Sequence, residues 1–282
     1  MIYFLIVGNH GFCNSCSLVF KYHHIHYVVS IKFLGLANPW VIDVKVISDI
    51  YLVGGGEYGL SPVGDWCNVY LIDGDDELAL IDSGSGLGVS RIIENIVSEG
   101  FDPRRIRYLF LTHSHFDHVG GAYFIQKLTN CLVLIHENEA DALEKLGEET
   151  LIKYSNIGKI SPPKVNVRLK GGEEFRVGRH VLRVIHTPGH TSGSICIFME
   201  VDGRKVLFTG DTVFARGRIG WFNTPGSDLN DYRKSLRRLL DLRPDVILPG
   251  HGTFVLHNAF EHVKLLLDKL NVPWKFVITI LD

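Results

Sequence analysis

The stretch Phe110 to Gly121, "FLTHSHFDHVGG", places three histidines and an aspartate within six positions. Imidazole nitrogens and carboxylate oxygens bind borderline cations such as zinc, manganese or iron better than they bind calcium or magnesium. At this chain's own residue frequencies the pattern His-x-His-x-Asp-His would arise by accident about 0.002 times per chain. Satisfied core histidines are a poor alternative, because three imidazoles and a carboxylate buried side by side need more hydrogen-bond partners than one segment offers. In an extended segment His113 and His115 point to one side and reach one ion, while Asp117 and His118, a turn further on, can serve a second.

The elements that must hold such a cluster are legible around it. "IRYLFLTH" is a short, buried-type strand that runs straight into the histidines, and the same layout recurs. Asp82 follows "LALI", His190 follows "RVIHTPG", Asp211 follows "VLFTG" and His251 follows "VILPG". Five apolar strands, each ending in a small-residue loop with a His or Asp, describe a site assembled at one edge of a sheet. Further strands are predicted at "VKVISDIYLV", "CNVYLIDG", "CLVLIH" and "SGSICIFM", and helices over 91–98, 120–128, 137–146, 228–241 and 258–270. Residues 147–165 carry no period and read as a surface excursion. No Pro/Gly/Ser linker divides the body, so 43–282 is expected to form one domain, with 1–42 as an N-terminal extension.

The motifs "THSHFDH", "TPGHTSGS", "FTGDT" and "LPGHG", in this order, resemble the metallo-β-lactamase superfamily, and most of all its glyoxalase II-type hydrolases. The resemblance spans about residues 43 to 270 and implies an α+β fold, an αββα sandwich of two mixed β-sheets flanked by helices. It also implies that His113, His115 and His190 bind one metal, that Asp117, His118 and His251 bind a second, and that Asp211 bridges them. Asp82 resembles the family's supporting aspartate, which orients a ligand without binding metal itself. Two divalent ions are implied, zinc foremost with iron or manganese as alternatives. The reaction would be hydrolysis of a thioester, lactone or related acyl compound by a bridging hydroxide, with Asp117 also orienting the nucleophile.

Two other readings share these motifs. A persulfide dioxygenase would hold a single iron through His113, His190 and Asp211, and a phosphodiesterase or nuclease would use the whole His/Asp set. A formal net charge of −2 argues against nucleic acid as a partner, and no apolar run is long enough to suggest a membrane span. The substrate is therefore expected to be a small molecule, and the family resemblance leaves a homodimer open. Only 31 residues follow His251, too few for the helical domain that binds glutathione in glyoxalase II. Substitute cleft walls are Tyr58, Trp66, Trp221 and Phe222. A basic strip, Arg233, Lys234, Arg237 and Arg238, reads either as a solvated helix face or as a contact for an anionic substrate.

Five scattered cysteines do not form a disulfide framework, so a reducing, cytoplasmic setting is expected. Residues 1–42 differ in composition from the rest. Cys13 and Cys16 with two of His23, His24 and His26 could form a zinc site, but the six residues between the pairs are fewer than zinc fingers use. The extension also reads as a segment outside the natural protein, with the true start at Leu36, Val41 or Val44. The intact mass of the native gene's product decides between them.

Overall fold

The computed structural model describes residues 15–22, 25–32, 44–58, 60, 67–155, 160–220 and 223–272. Trp66, Trp221, Phe222, Cys13, His23, His24 and the predicted terminal strand "KFVITI" lie outside these residues. In the N-terminal extension β1 (Ser15–Tyr22) pairs antiparallel with β2 (Ile25–Lys32).

The body is built on two mixed sheets. The first has seven strands in sequence order: β3 (Val44–Ile47), β4 (Ile50–Gly54), β5 (Val69–Asp73), β6 (Leu78–Ile81), β7 (Ile106–Phe110), β8 (Leu132–His136) and β9 (Val165–Leu169). Its first four strands are antiparallel and its last four parallel. The second sheet runs β10 (Glu174–Val177), β11 (His180–His186), β12 (Ile195–Val201), β13 (Arg204–Gly210) and β14 (Val246–Pro249), with only the last pair parallel.

Side-chain alternation explains why these strands read as unbroken apolar runs. Along β4, Ile50 and Leu52 face the second sheet, while Tyr51 and Val53 face the outer helices. Along β14, Val246 and Leu248 point inward and Ile247 outward. Both faces are covered, so both sets of positions must be apolar. The outer layer of the first sheet is α1 (Val89–Ser98), α3 (Ala122–Thr129) and α4 (Glu137–Lys145), and that of the second is α5 (Leu229–Leu242) and α6 (Ala259–Asn271). The fold is the predicted αββα sandwich. Among the described residues no helix is long and apolar enough to cross a membrane.

The structure departs from the sequence reading in several elements. "VKVISDIYLV" is a hairpin, β3 and β4, turning at Ser48, whose φ is +22°. A one-turn helix, α2 (Phe116–Val119), lies inside the histidine segment. β9 and β10 were not expected, because at these sheet edges apolar residues alternate with exposed Asn166, Arg168, Glu174 and Arg176. The excursion after Leu146 is not wholly a surface feature, since Thr150, Leu151 and Ile160 are buried.

The two sheets meet through glycines at one end. A Cβ on Gly178, whose φ is +53°, would lie 1.6 Å from the Gly74 carbonyl oxygen. Gly178→Ala is therefore expected to cost at least about 3 kcal/mol, from backbone strain and this overlap together. Urea titration measures it; an unchanged midpoint would show that the contact relaxes freely.

Candidate metal centre

All seven predicted donors converge at one mouth of the sandwich, drawn from both sheets. The loop after β7 carries His113, His115, Asp117 and His118. The β11–β12 loop supplies His190, the residue after β13 is Asp211, and His251 follows β14. Of four overlapping groups among the described residues close enough to share an ion, two divide six of the seven donors between them: His113, His115 and His190, and Asp117, His118 and His251.

In the first group His115 Nδ1 lies 3.0 Å from both His113 Nε2 and His190 Nε2. A single imidazole proton cannot serve two such neighbours linearly, whereas a tetrahedral cation with bonds of about 2.0–2.1 Å sets its nitrogens about 3.3 Å apart. In the second group His118 Nε2 is 3.1 Å from His251 Nε2, and the latter is 3.1 Å from Asp117 Oδ2. Asp211 faces both groups: Oδ1 lies 3.3 Å from His118 Nε2 and 3.6 Å from His251 Nε2, while Oδ2 lies 3.7 Å from His190 Nε2. Asp211 Oδ1 and His115 Nε2 are buried without a hydrogen-bond partner. A buried carboxylate oxygen left in that state is expensive unless a cation meets it. The donor set fits divalent metal.

Protonation agrees. Burial pushes His113 well down and His115 down to about 3, so both are neutral, the form that donates to metal. Burial alone would raise the carboxyls, but the facing histidines outweigh it; His118 and His251 hold Asp117 at about 2, and His251 and His118 hold Asp211 well below the usual carboxylate range. The converse holds for His118 and His251, which burial would lower but which surrounding acidic groups raise. That negative field favours any cation placed there.

A second tier fixes these side chains. Asp82, immediately after β6 and in the left-handed region at φ +63°, accepts from Thr112 N at 2.8 Å, Thr112 Oγ1 at 2.9 Å and His118 Nδ1 at 2.8 Å. Asp tolerates that backbone better than most residues. Cys67 Sγ lies 3.4 Å from the same His118 nitrogen, and burial pushes its thiol up, keeping it neutral. Asn68 Nδ2 and Tyr70 Oη donate to the Pro249 carbonyl, at 3.0 and 2.8 Å, anchoring the turn into His251. The buried Tyr232 hydroxyl donates to the carbonyls of Asp211 and Thr212.

Glu139 from α4 ties the first metal loop to the loop of His190. It accepts from Ser114 N at 3.1 Å, from Ser114 Oγ, and from Gly193 N at 2.9 Å. Cys67, Asn68 and Glu139 carry no sequence signal of their own role, since each acts through a contact made only by folding. Glu139→Ala strands two buried N–H donors and is expected to cost about 1–3 kcal/mol. Thermal melting reads this, and a shift under one degree would mean that water replaces the carboxylate.

The donors open on a cleft of about 360 Å³ whose walls include Phe116, Leu151, Phe214, Arg218 and Ile219. Asp117 and His251, with side chains 26% and 24% exposed, are the donors most open to it. Of the predicted wall aromatics, Tyr58 instead donates to the Gly252 carbonyl and stacks on Phe254. The α5 basic strip lies away from the cleft: Arg233 caps the Leu270 carbonyl of α6, Lys234 pairs with Asp231, and Arg238 donates to the His186 carbonyl.

Comparison with known proteins adds an independent line. The sequence profile described as the Metallo-beta-lactamase superfamily matches residues 64–251. A probable metallo-hydrolase of Methanocaldococcus jannaschii is 35% identical over 212 residues, 74% of this chain and 98% of that protein. An acyl-coenzyme A thioesterase of Homo sapiens is 29% identical over 241 residues, 75% of this chain and 82% of that protein. Among solved structures, BJP-1, a subclass B3 metallo-beta-lactamase of Bradyrhizobium japonicum, is similar in fold, with TM-score 0.62, 24% identity, and 84% of this chain and 93% of that one covered.

Proposed function

The chain belongs to the metallo-beta-lactamase superfamily, and on that premise we propose that it is a dinuclear metal hydrolase of acyl thioesters, with zinc as the first candidate metal. The observation that carries the reading is Asp211, whose two oxygens face two separate donor groups. His113, His115 and His190 would hold one ion, Asp117, His118 and His251 the other, and Asp211 both. Such ions lower the pKa of water to about 7 and polarise an acyl carbonyl.

The residues then divide the remaining work. Asp117, ionised and open to the cleft, accepts a hydrogen bond from the incoming water and orients it toward the carbonyl carbon. Phe116, Leu151, Phe214 and Ile219 exclude bulk water and offer an apolar surface to the acyl chain. No serine or cysteine nucleophile is called for, and Cys67, Cys131 and Cys196, all buried free thiols, suit none. Buried free thiols also support a reducing, cytoplasmic setting. Several relatives are named for thioester hydrolysis, among them the human acyl-coenzyme A thioesterase and an atrochrysone carboxyl ACP thioesterase of Aspergillus fumigatus, which favours thioesters over lactones.

Elemental analysis of protein purified without added metal, with thiol release from acyl thioesters, tests the reading. Two ions per chain and turnover are expected. One iron per chain with oxygen uptake on a persulfide, and no thiol release, would sink it.

A further inference from the structure

Apart from the metal donors, Arg218 is the cleft's one charged side chain among the described residues. Four exposed arginines elsewhere are paired with carboxylates: Arg104 with Asp102, Arg107 with Glu77, Arg168 with Asp141 and Glu144, Arg179 with Asp49 and Asp75. No described carboxylate pairs with Arg218, which is exposed at the rim beside Phe214 and Ile219.

Its backbone is held firmly. Phe214 and Arg218 bridge across a tight turn in which Arg216 and Gly217 take left-handed φ values of +62° and +57°. α6 grips that turn: Arg216 N donates to His262 Nδ1 at 2.8 Å, and Lys269 Nζ donates to the carbonyls of Arg216 and Gly217 at 2.8 and 3.0 Å. A Cβ on Gly217 would stand 2.7 Å from Leu266 N. Two residues beyond Arg218 the chain touches the donors, because a Cβ on Gly220 would lie 2.6 Å from the Asp211 carbonyl and 3.2 Å from His190 Nδ1. Two residues span at most about 7 Å. The Arg218 backbone is thus held within one side chain's reach of the donors.

We propose that Arg218 binds an anionic group of the substrate, phosphate or carboxylate, carried on the arm of the thioester that leaves the cleft; this rests on the acyl-thioester reading above. The planar guanidinium fork matches either anion bidentately. A turn already ordered by α6 loses little freedom on binding, and the apolar wall beside it weakens competition from water. The α5 strip cannot take this part, since it lies away from the cleft.

The test uses the full, metal-loaded chain and three butyryl thioesters, of N-acetylcysteamine (neutral), 3-mercaptopropionate (carboxylate) and 4′-phosphopantetheine (phosphate). Arg218→Gln is expected to raise KM for one or both anionic thioesters at least about tenfold more than for the neutral one. The arm that responds identifies the anion, and Arg218→Lys should recover part of the loss. An equal change for all three, or none, overturns the inference and leaves the hydrolase reading intact. Should no thioester turn over, calorimetric binding of the non-hydrolysable thioether analogues decides instead. Anion-selective weakening in Arg218→Gln then sustains the inference while the hydrolase reading fails, and indifference to the substitution sinks both.

Discussion

Replacing Asp211 by alanine is expected to leave at most one ion per chain and to cut thioester hydrolysis by more than about a hundredfold, beyond what loss of an outer orienting contact costs. The carboxylate has one oxygen toward each donor group. Its charge also offsets the histidines gathered around it. Without it five imidazoles converge with Asp117 as the sole carboxylate among the donors, and two divalent ions would share no anionic side chain. Elemental analysis and thiol-release rates read the two effects separately. Two ions retained with full turnover would end the assignment.

Asp82→Ala is expected to be the most destabilising change in the supporting tier, costing about 3 kcal/mol. Asp82 accepts three hydrogen bonds in a site with essentially no water access, and alanine leaves Thr112 N–H stranded. Metal affinity should fall 10–100-fold as well, because His118 loses the contact that sets its ring orientation. Asp82→Asn separates the two consequences. Its carbonyl can still serve Thr112 N, while its amide presents hydrogens to His118 Nδ1, so stability should recover further than affinity. Chemical unfolding paired with chelator competition measures both; equal recovery of the two would refute the division of labour.

The site was more legible in the sequence than the walls around it. His113, His115, Asp117 and His118 announce themselves because four donors share one loop. His190, Asp211 and His251 follow because each ends a buried strand in the same small-residue manner, a pattern that survives without knowing which strands pair. Arg218 offers no comparable signal. It is one of two arginines in a long loop, and only the folded chain shows that it lines the cleft. The α5 strip, more conspicuous as a run of charge, lies elsewhere, since helix periodicity shows which residues share a face but not what that face meets. β9 and β10 escaped notice although "VNVRL" and "EFRV" do alternate, because half of their positions face solvent at the sheet edges.

Each donor group mixes the two halves of the sandwich: His190 joins two histidines from the first sheet, and His251 joins Asp117 and His118. An ion in either place therefore rivets one half to the other, and strand separation must eject it. Every tenfold rise in free metal above the dissociation constant then adds about 1.4 kcal/mol per site to the resistance against unfolding. A cell short of metal would hold less of this protein as well as an idle form of it, because opened chains are what proteases consume. Limited proteolysis across a series of buffered zinc concentrations should show cleavage slowing in step with occupancy.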